Sequence, residues 1–329
     1  MLPAWLQPLP RTDPSAHGIL VRGSRGHLLV DPGWGSRPAV AELLARLRGA
    51  HVAPGDLALV AATHFHADHV GAIAWLQAEH GIPAAAHATE AALVNLRDPR
   101  AADHDRMGHP VGPYTVQRAL APGDVVAPPG GPELVVVDAA GQTPGHVAFH
   151  APQDGVLLTG DLLQDGDVAW VLLDGPEDLG PLRTLVRTVE RLAALEPRTV
   201  LPGHGPPVVR DVPRVVEETL ERYAGWLEDP ARALRHAGKR AVAFWLMTTW
   251  PRAQDAERRM AAEPWLRAVA DAGHGGNRQA AAAALLAELD RLGILARRQG
   301  RLGTSLPHLP PGPLQVGPGD PGRWPPPRV

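Results

Sequence analysis

The chain contains no cysteine. That excludes disulfides, a thiolate nucleophile and any thiolate-bound metal, so a resident cation would have to be held by His, Asp and Glu. Lysine is almost missing as well. Lys239 is the single example, and the remaining basic residues are arginine. Alongside the abundant Ala, Pro and Gly, this reads as the coding bias of a GC-rich genome rather than as a functional signal. There is no excess of positive charge: the formal net charge is -3, so no global field favours nucleic acid or an anionic membrane. Long apolar runs are lacking too. Residues 241–250 form the longest apolar stretch of the C-terminal half, too short to span a bilayer and interrupted by threonines. The first 18 residues carry several prolines but no basic segment leading into an apolar one, so no signal peptide and no membrane association are expected. A soluble cytoplasmic protein is the default expectation.

What is present is a substantial core and a dense polar cluster. The 329 residues are 44% hydrophobic, enough for one large domain and a smaller one. The cluster is Thr63-His64-Phe65-His66-Ala67-Asp68-His69, three imidazoles and a carboxylate in six residues from His64 on. It follows an apolar run over residues 57–62 that reads as a buried strand. It precedes residues 70–80, whose apolar spacing reads as one amphipathic helix. His64 and His66 are two apart, so in extended backbone they point the same way. Asp68 and His69 fall where the chain turns into the helix, which suits two adjacent cations better than one. Packed without a cation, these groups would leave buried polar atoms unpaired.

In chain order, residues 1–16 read as an irregular Pro-rich lead-in. Residues 17–21 and 27–30 form a hairpin ending in Asp31-Pro32-Gly33. Ser36 caps a helix that begins with Pro38 and runs to about residue 48. A short strand covers residues 84–87, and Thr89 caps a helix over 90–97. Residues 98–118 read as a long loop or lid. Strands follow at 134–138, 147–150, 156–159 and 199–201, with a helix at 179–195. Every polar cluster lies just beyond a strand: Pro144-Gly145-His146, Gly160-Asp161 and Pro202-Gly203-His204-Gly205. A site built from several loops on one sheet edge is expected.

Taken together and in this order, the four motifs and Asp31-Pro32-Gly33 resemble the metallo-β-lactamase superfamily over roughly residues 15–210. The resemblance implies an α+β fold, a four-layer αβ/βα sandwich. It also implies the ligand roles. His64, His66 and His146 would bind one metal, Asp68, His69 and His204 a second, and Asp161 would bridge them. Two divalent ions, zinc first with iron or manganese as alternatives, would leave residual positive charge for an acyl or phosphoryl oxygen. They would lower the pKa of a bridging water to about 7. Asp68 would be the catalytic acid/base that orients this hydroxide and shuttles its proton. Asp31 is a candidate partner for a ligating imidazole, and equally a turn-former. No ligand is missing, which argues against the diiron flavoprotein branch and the cysteine-using β-lactamases. Residues 162–167 lack the segment expected of the persulfide dioxygenase branch.

After residue 212 the pattern is mostly helical: 212–226, 231–247, 264–270 and 279–292, with Gly293 as C-cap and 294–302 as a two-stranded wing. The expected domains are 1–212 (catalytic), 213–302 (helical, winged-helix-like) and a Pro/Gly-rich disordered tail over 303–329. This arrangement resembles the hydroxyacylglutathione hydrolase-like and endoribonuclease-like branches. A basic glutathione-gripping C-terminal segment is not evident. Trp245, Trp250 and Trp265 read as core. Tyr114, Trp34, Trp170 and His104 are candidates to shape a pocket.

The expected function is hydrolysis of an ester-like substrate, a thioester or lactone, on a small-molecule acyl partner. One rival is single-strand-specific RNA cleavage, with Arg291, Arg297, Arg298 and Arg301 on phosphates. Those arginines read more simply as the solvated face of a packing or dimerisation module, consistent with a homodimer. A second rival is a non-catalytic nucleic-acid-binding regulator.

Overall fold

The computed structural model describes residues 2–12, 15–103 and 111–306. Two mixed sheets face one another. The first runs in the order β1 (Leu6–Leu9), β2 (Gly18–Val21), β3 (His27–Val30), β4 (Leu57–Ala61), β5 (Ala84–His87), β6 (Arg118–Leu120). The lead-in is therefore not wholly irregular: Leu6–Leu9 is an edge strand, antiparallel to β2. Pro8 is tolerated there because an edge strand does not need every N–H. The second sheet comprises β7 (Val125–Val126), β8 (Leu134–Asp138), β9 (Val147–Ala151), β10 (Val156–Gly160) and β11 (Thr199–Pro202), in the order β11-β10-β9-β8-β7.

Alternation along the strands explains the layering. In β10, Val156 and Leu158 join Leu28, Val30 and Phe149 between the sheets, while Leu157 points outward with Ala148 and Val200. In the first sheet Leu20, Leu29 and Val60 face outward in the same way. Strands buried on both faces read as continuous apolar runs, as here. Helix α1 (Arg37–Gly49), capped by Ser36 as expected, covers the first sheet through Val40, Leu43 and Leu47.

Residues 70–80 do not form one helix. They divide into α2 (Ala67–Val70) and α3 (Ile73–His80). At the break Gly71 lies against Gly35 so closely that a Cβ on either would fall on the other's backbone. The N–H of Ala72 donates to the Gly33 carbonyl at 2.9 Å, so the break docks the helix that carries Asp68 and His69 on the turn after β3. Helix α4 (Ala88–Asn95) is capped by the His87 ring, which accepts from the Thr89 N–H, and not by Thr89. The expected loop 98–118 contains a short turn at Ala101–Asp103 and runs into β6; His104 lies outside the described residues.

The outer face of the second sheet is covered by α5 (Gly180–Ala193), through Leu182, Leu185, Val189 and Leu192. Together these layers form the α+β, four-layer sandwich expected from the sequence. Helices α6 (Val212–Glu228), α7 (Pro230–Thr249), α8 (Ala256–Met260), α9 (Leu266–Gly273) and α10 (Arg278–Arg291) follow. A hairpin of β12 (Leu295–Arg298) and β13 (Arg301–Thr304) completes the helical region. Trp245 and Trp265 are buried in it, whereas Trp250 is half-buried at the left-handed end of α7. Of the tail, residues 307–329 lie outside the described residues; 303 and 304 belong to β13. No helix among the described residues is long and apolar enough to cross a membrane.

Candidate metal centre

The site forms where β3, β4, β10 and β11 end and β9 begins. The chain leaves β4 at Ala61, so His64 and His66 sit in a turn beyond the strand, not in extended register within it. They nevertheless converge: His64 Nε2 is 3.0 Å from His66 Nδ1. Ligand atoms of His64, His66 and Asp161 all lie within 4.8 Å of one another, and so do those of Asp68, His69 and His204. Asp161 stands between the two groups. Its Oδ1 is 3.0 Å from His69 Nε2 and 3.5 Å from His204 Nε2, while Oδ2 is 3.9 Å from His64 Nε2. His146 is not in either trio. Its ring stacks on His64 at 4.6 Å, fully buried, with both nitrogens lacking a hydrogen-bond partner.

Hydrogen bonds around the site fix which nitrogens point inward. The Thr63 hydroxyl has one proton, donated to Asp31 Oδ2 at 2.7 Å, while the Thr63 backbone N–H donates to Asp31 Oδ1 at 2.8 Å. Thr63 Oγ1 must then accept from His64 Nδ1, 3.0 Å away, which leaves a lone pair on His64 Nε2. His69 Nδ1 donates to Asp31 Oδ2 at 2.9 Å, freeing Nε2. His66 Nε2 donates to Asp103 Oδ2 at 2.8 Å, freeing Nδ1. With both rings neutral, two lone pairs face each other at the 3.0 Å separation of His64 and His66, an arrangement that is repulsive unless a proton or a metal cation is shared. With the unpartnered His146 nitrogens and Asp161 Oδ1, this donor set fits divalent metal. Asp31 therefore holds the imidazole of His69, a candidate ligand, as well as the Thr63 turn.

Electrostatics tell the same story. Burial, reinforced by the neighbouring imidazoles His69, His146 and His66, holds His64 well below the usual histidine range. Burial pushes His146 down to about 3. At His69 burial opposes the charged form, but Asp161 and Asp31 outweigh it and raise the pKa well above normal. At Asp161 burial is likewise overridden, by His69 and His204, and the carboxyl is held well below its ordinary range. Three carboxylates, Asp31, Asp68 and Asp161, demand positive charge at one buried spot.

Several contributors carried no sequence signal. Asp103 ends the turn after α4 with a left-handed φ of 48°, a conformation Asp tolerates. Gln142 Nε2 donates to Asp161 Oδ2 at 2.6 Å and lies 3.3 Å from His66 Nδ1. Glu90 is fully buried and accepts from the Thr143 hydroxyl, clamping the loop that carries His146; burial raises its carboxyl to about 8. Gly160 is needed for its positive φ of 54°, and a Cβ there would stand 2.8 Å from His146 Nε2. Of the suggested pocket residues, Tyr114 is buried in the first sheet's outer core and Trp34 is half-buried beside it. Trp170 lies 6.1 Å from the His66 ring and stacks on Phe244 of α7.

A family model described as the metallo-β-lactamase superfamily matches residues 12–204. The chain belongs to the metallo-β-lactamase superfamily. Its members similar to this chain include an acyl-coenzyme A thioesterase of Gallus gallus, 31% identical over 210 residues, covering 56% of this chain and 70% of that protein. A hydroxyacylglutathione hydrolase of Cereibacter sphaeroides is 30% identical over 149 residues, 45% of this chain and 48% of that one. This chain thus spans about half the length of that hydrolase. Among solved structures, a metallo-β-lactamase family protein from Thermus thermophilus aligns with a TM-score of 0.60 at 23% identity, over 92% of this chain and 100% of that one. At that identity the likeness concerns the fold, and it extends into the helical region.

Proposed function

We propose that this protein is a dinuclear metallohydrolase acting on thioesters. The observation that carries the reading is the inward convergence of ring nitrogens of His64, His66 and His69 with the Asp161 carboxylate, in a chain whose relatives include thioester hydrolases. His64, His66 and His146 on one side, Asp68, His69 and His204 on the other, with Asp161 between, would hold two divalent ions, zinc before iron or manganese, supplying an activated water and a Lewis acid for the acyl oxygen.

The remaining work falls to the protein. Asp68 Oδ2 lies 3.2 Å from His204 Nε2. Burial disfavours its carboxylate, yet His204 and His69 prevail and hold its pKa below normal, so it is ionised and able to take a proton. We assign it the transfer of that proton to the departing thiolate: the C–S bond breaks, a C–O bond forms, and acid and thiol leave. Trp170 and Phe244 provide an apolar wall beside His66.

Elemental analysis of purified protein, coupled to a panel of thioesters, lactones, esters and RNA, tests this reading. Two equivalents of metal and preferential thioester turnover are expected. His66→Ala should lower metal content and reduce turnover by at least about 100-fold while leaving the fold intact. Unchanged metal content in that variant, or a metal-loaded protein inert to every thioester, would refute it. Arg297 is held by Asp290 at 2.7 and 2.9 Å and Arg301 by the Trp250 carbonyl at 2.7 Å, so the wing offers RNA less than its sequence suggested.

A further inference from the structure

A second concave surface lies in the helical region, between α6, α7 and α10. A cavity of about 340 Å³ is lined by Arg222, Arg232, Arg235, His236, Lys239 and Glu288, with Trp226 at its apolar side. It shares Arg232, Arg235 and Glu288 with a neighbouring cavity of about 400 Å³, which adds Asp229 and Arg291. The chain as a whole is slightly acidic, yet four permanent cations meet here around one carboxylate.

That carboxylate is already shared. Glu288 Oε2 accepts from Arg235 Nε at 2.8 Å, and Oε1 lies 3.2 Å from Lys239 Nζ. The Arg232 guanidinium has no ion pair among the described residues. Among the described residues Arg222 reaches only the Gly166 carbonyl, at 3.5 Å. Of the other acids nearby, Asp167 is taken by Arg240 at 2.7 Å, and Asp229 lines the adjoining cavity. His236 Nε2 is buried without a partner. Cationic side chains from two helices therefore gather at one concavity.

We infer that this surface binds a small phosphate-bearing anion, with its phosphate held among Arg222, Arg232, Arg235 and Lys239. An arginine fork and a lysine ammonium supply the directional donors and point charge that a phosphate dianion takes up. The site is separate from the metal centre: Ala237, on the buried side of the same helix, accepts the Trp170 indole N–H at 3.3 Å. One helix thus carries the cationic surface on one side and the wall of the metal centre on the other.

Pyrophosphate binding to the full-length, metal-loaded protein at low ionic strength, followed by calorimetry, tests the proposal. Because pyrophosphate also has affinity for metal ions, two variants remote from the metal centre separate the sites. Arg232→Ala/Lys239→Ala should weaken one saturable binding event at least tenfold. Glu288→Gln, which removes the competing carboxylate, should tighten the same event several-fold. Melting curves verify that both variants are folded, and thioester turnover reports the intact metal centre. Equal affinity in wild type and the double variant would overturn the proposal. So would the absence of saturable binding, or binding of a single-stranded oligonucleotide without pyrophosphate.

Discussion

Asp103 shows how a single side chain outside the ligand set can govern the centre. It fixes the tautomer of His66 through the 2.8 Å hydrogen bond to Nε2, with the Gln142 amide 3.3 Å from Nδ1 in support. At His66 burial opposes protonation, yet the Asp103 hydrogen bond and charge raise its pKa above normal. Outer partners of metal-bound imidazoles are typically worth about 10–100-fold in metal affinity. Asp103→Ala should therefore weaken metal binding by about that factor, measured by competition with a chromophoric chelator, with little change in melting of the metal-free protein. An unchanged affinity would show that His66 is oriented by packing alone. Asp31 has the same role at His69, but its two bonds to Thr63 also hold β3 to β4, so its loss would cost stability as well.

At the scale of elements, strands and ligand-bearing turns were legible because they rest on local signals. An apolar run followed by a polar turn needs no distant information, and the four turns fell where His64–His69, His146, Asp161 and His204 were expected to be. The misreadings arose where tertiary contact overrules local pattern. Residues 70–80 keep a helical period through Gly71, and only the approach of Gly35, 36 residues earlier, shows why the helix breaks. Asp103 and Gln142 were invisible because nothing in their neighbourhood distinguishes them from surface polar residues. The edge strand Leu6–Leu9 was hidden by its prolines. Helix α7 illustrates a further consequence of packing. His236 packs against Trp226 with ring centres 5.0 Å apart and the rings tilted by 45°, and burial lowers its pKa to about 4, helped by Arg240. In the unfolded chain an ordinary histidine titrates near 6.5. Above that pH both states are neutral and nothing is lost; as pH falls from about 6.5 toward 4 the unfolded chain gains the proton first, and stability declines. With allowance for the half-exposed ring, the loss is about 1–2 kcal/mol. His236→Phe should flatten the denaturant-midpoint difference between about pH 7 and about pH 4.5 by that amount. An unaltered difference would place the acid sensitivity elsewhere, in the histidines of the metal centre.

At the scale of the whole molecule, the question is where the catalytic unit ends. The sequence suggests a boundary at residue 212, and we propose two units on either side of α6. The apolar packing supplies the means to locate the junction. Val215, Tyr223 and Trp226 of α6 share one cluster with Leu182, Leu185 and Val189 of α5, which covers the second sheet. Trp170, which leaves the loop after Asp161, packs instead with Ala241, Trp245 and Leu266 in the helical core. Removing α6 would bare the outer face of α5, and fully burying one such large apolar side chain is worth about 1.5–3 kcal/mol. That loss, summed over three residues, is comparable to the whole stability of a domain, roughly 5–15 kcal/mol. A chain ending at residue 212 is expected to be insoluble or molten. One ending at residue 228 should retain more native structure, with Trp170 exposed and the His66 side of the metal centre loosened. Solubility, near-ultraviolet circular dichroism and metal stoichiometry of the two truncations decide the matter. Equal solubility and two metals per chain in the shorter one would put the boundary before α6 and make the helical region dispensable for the centre.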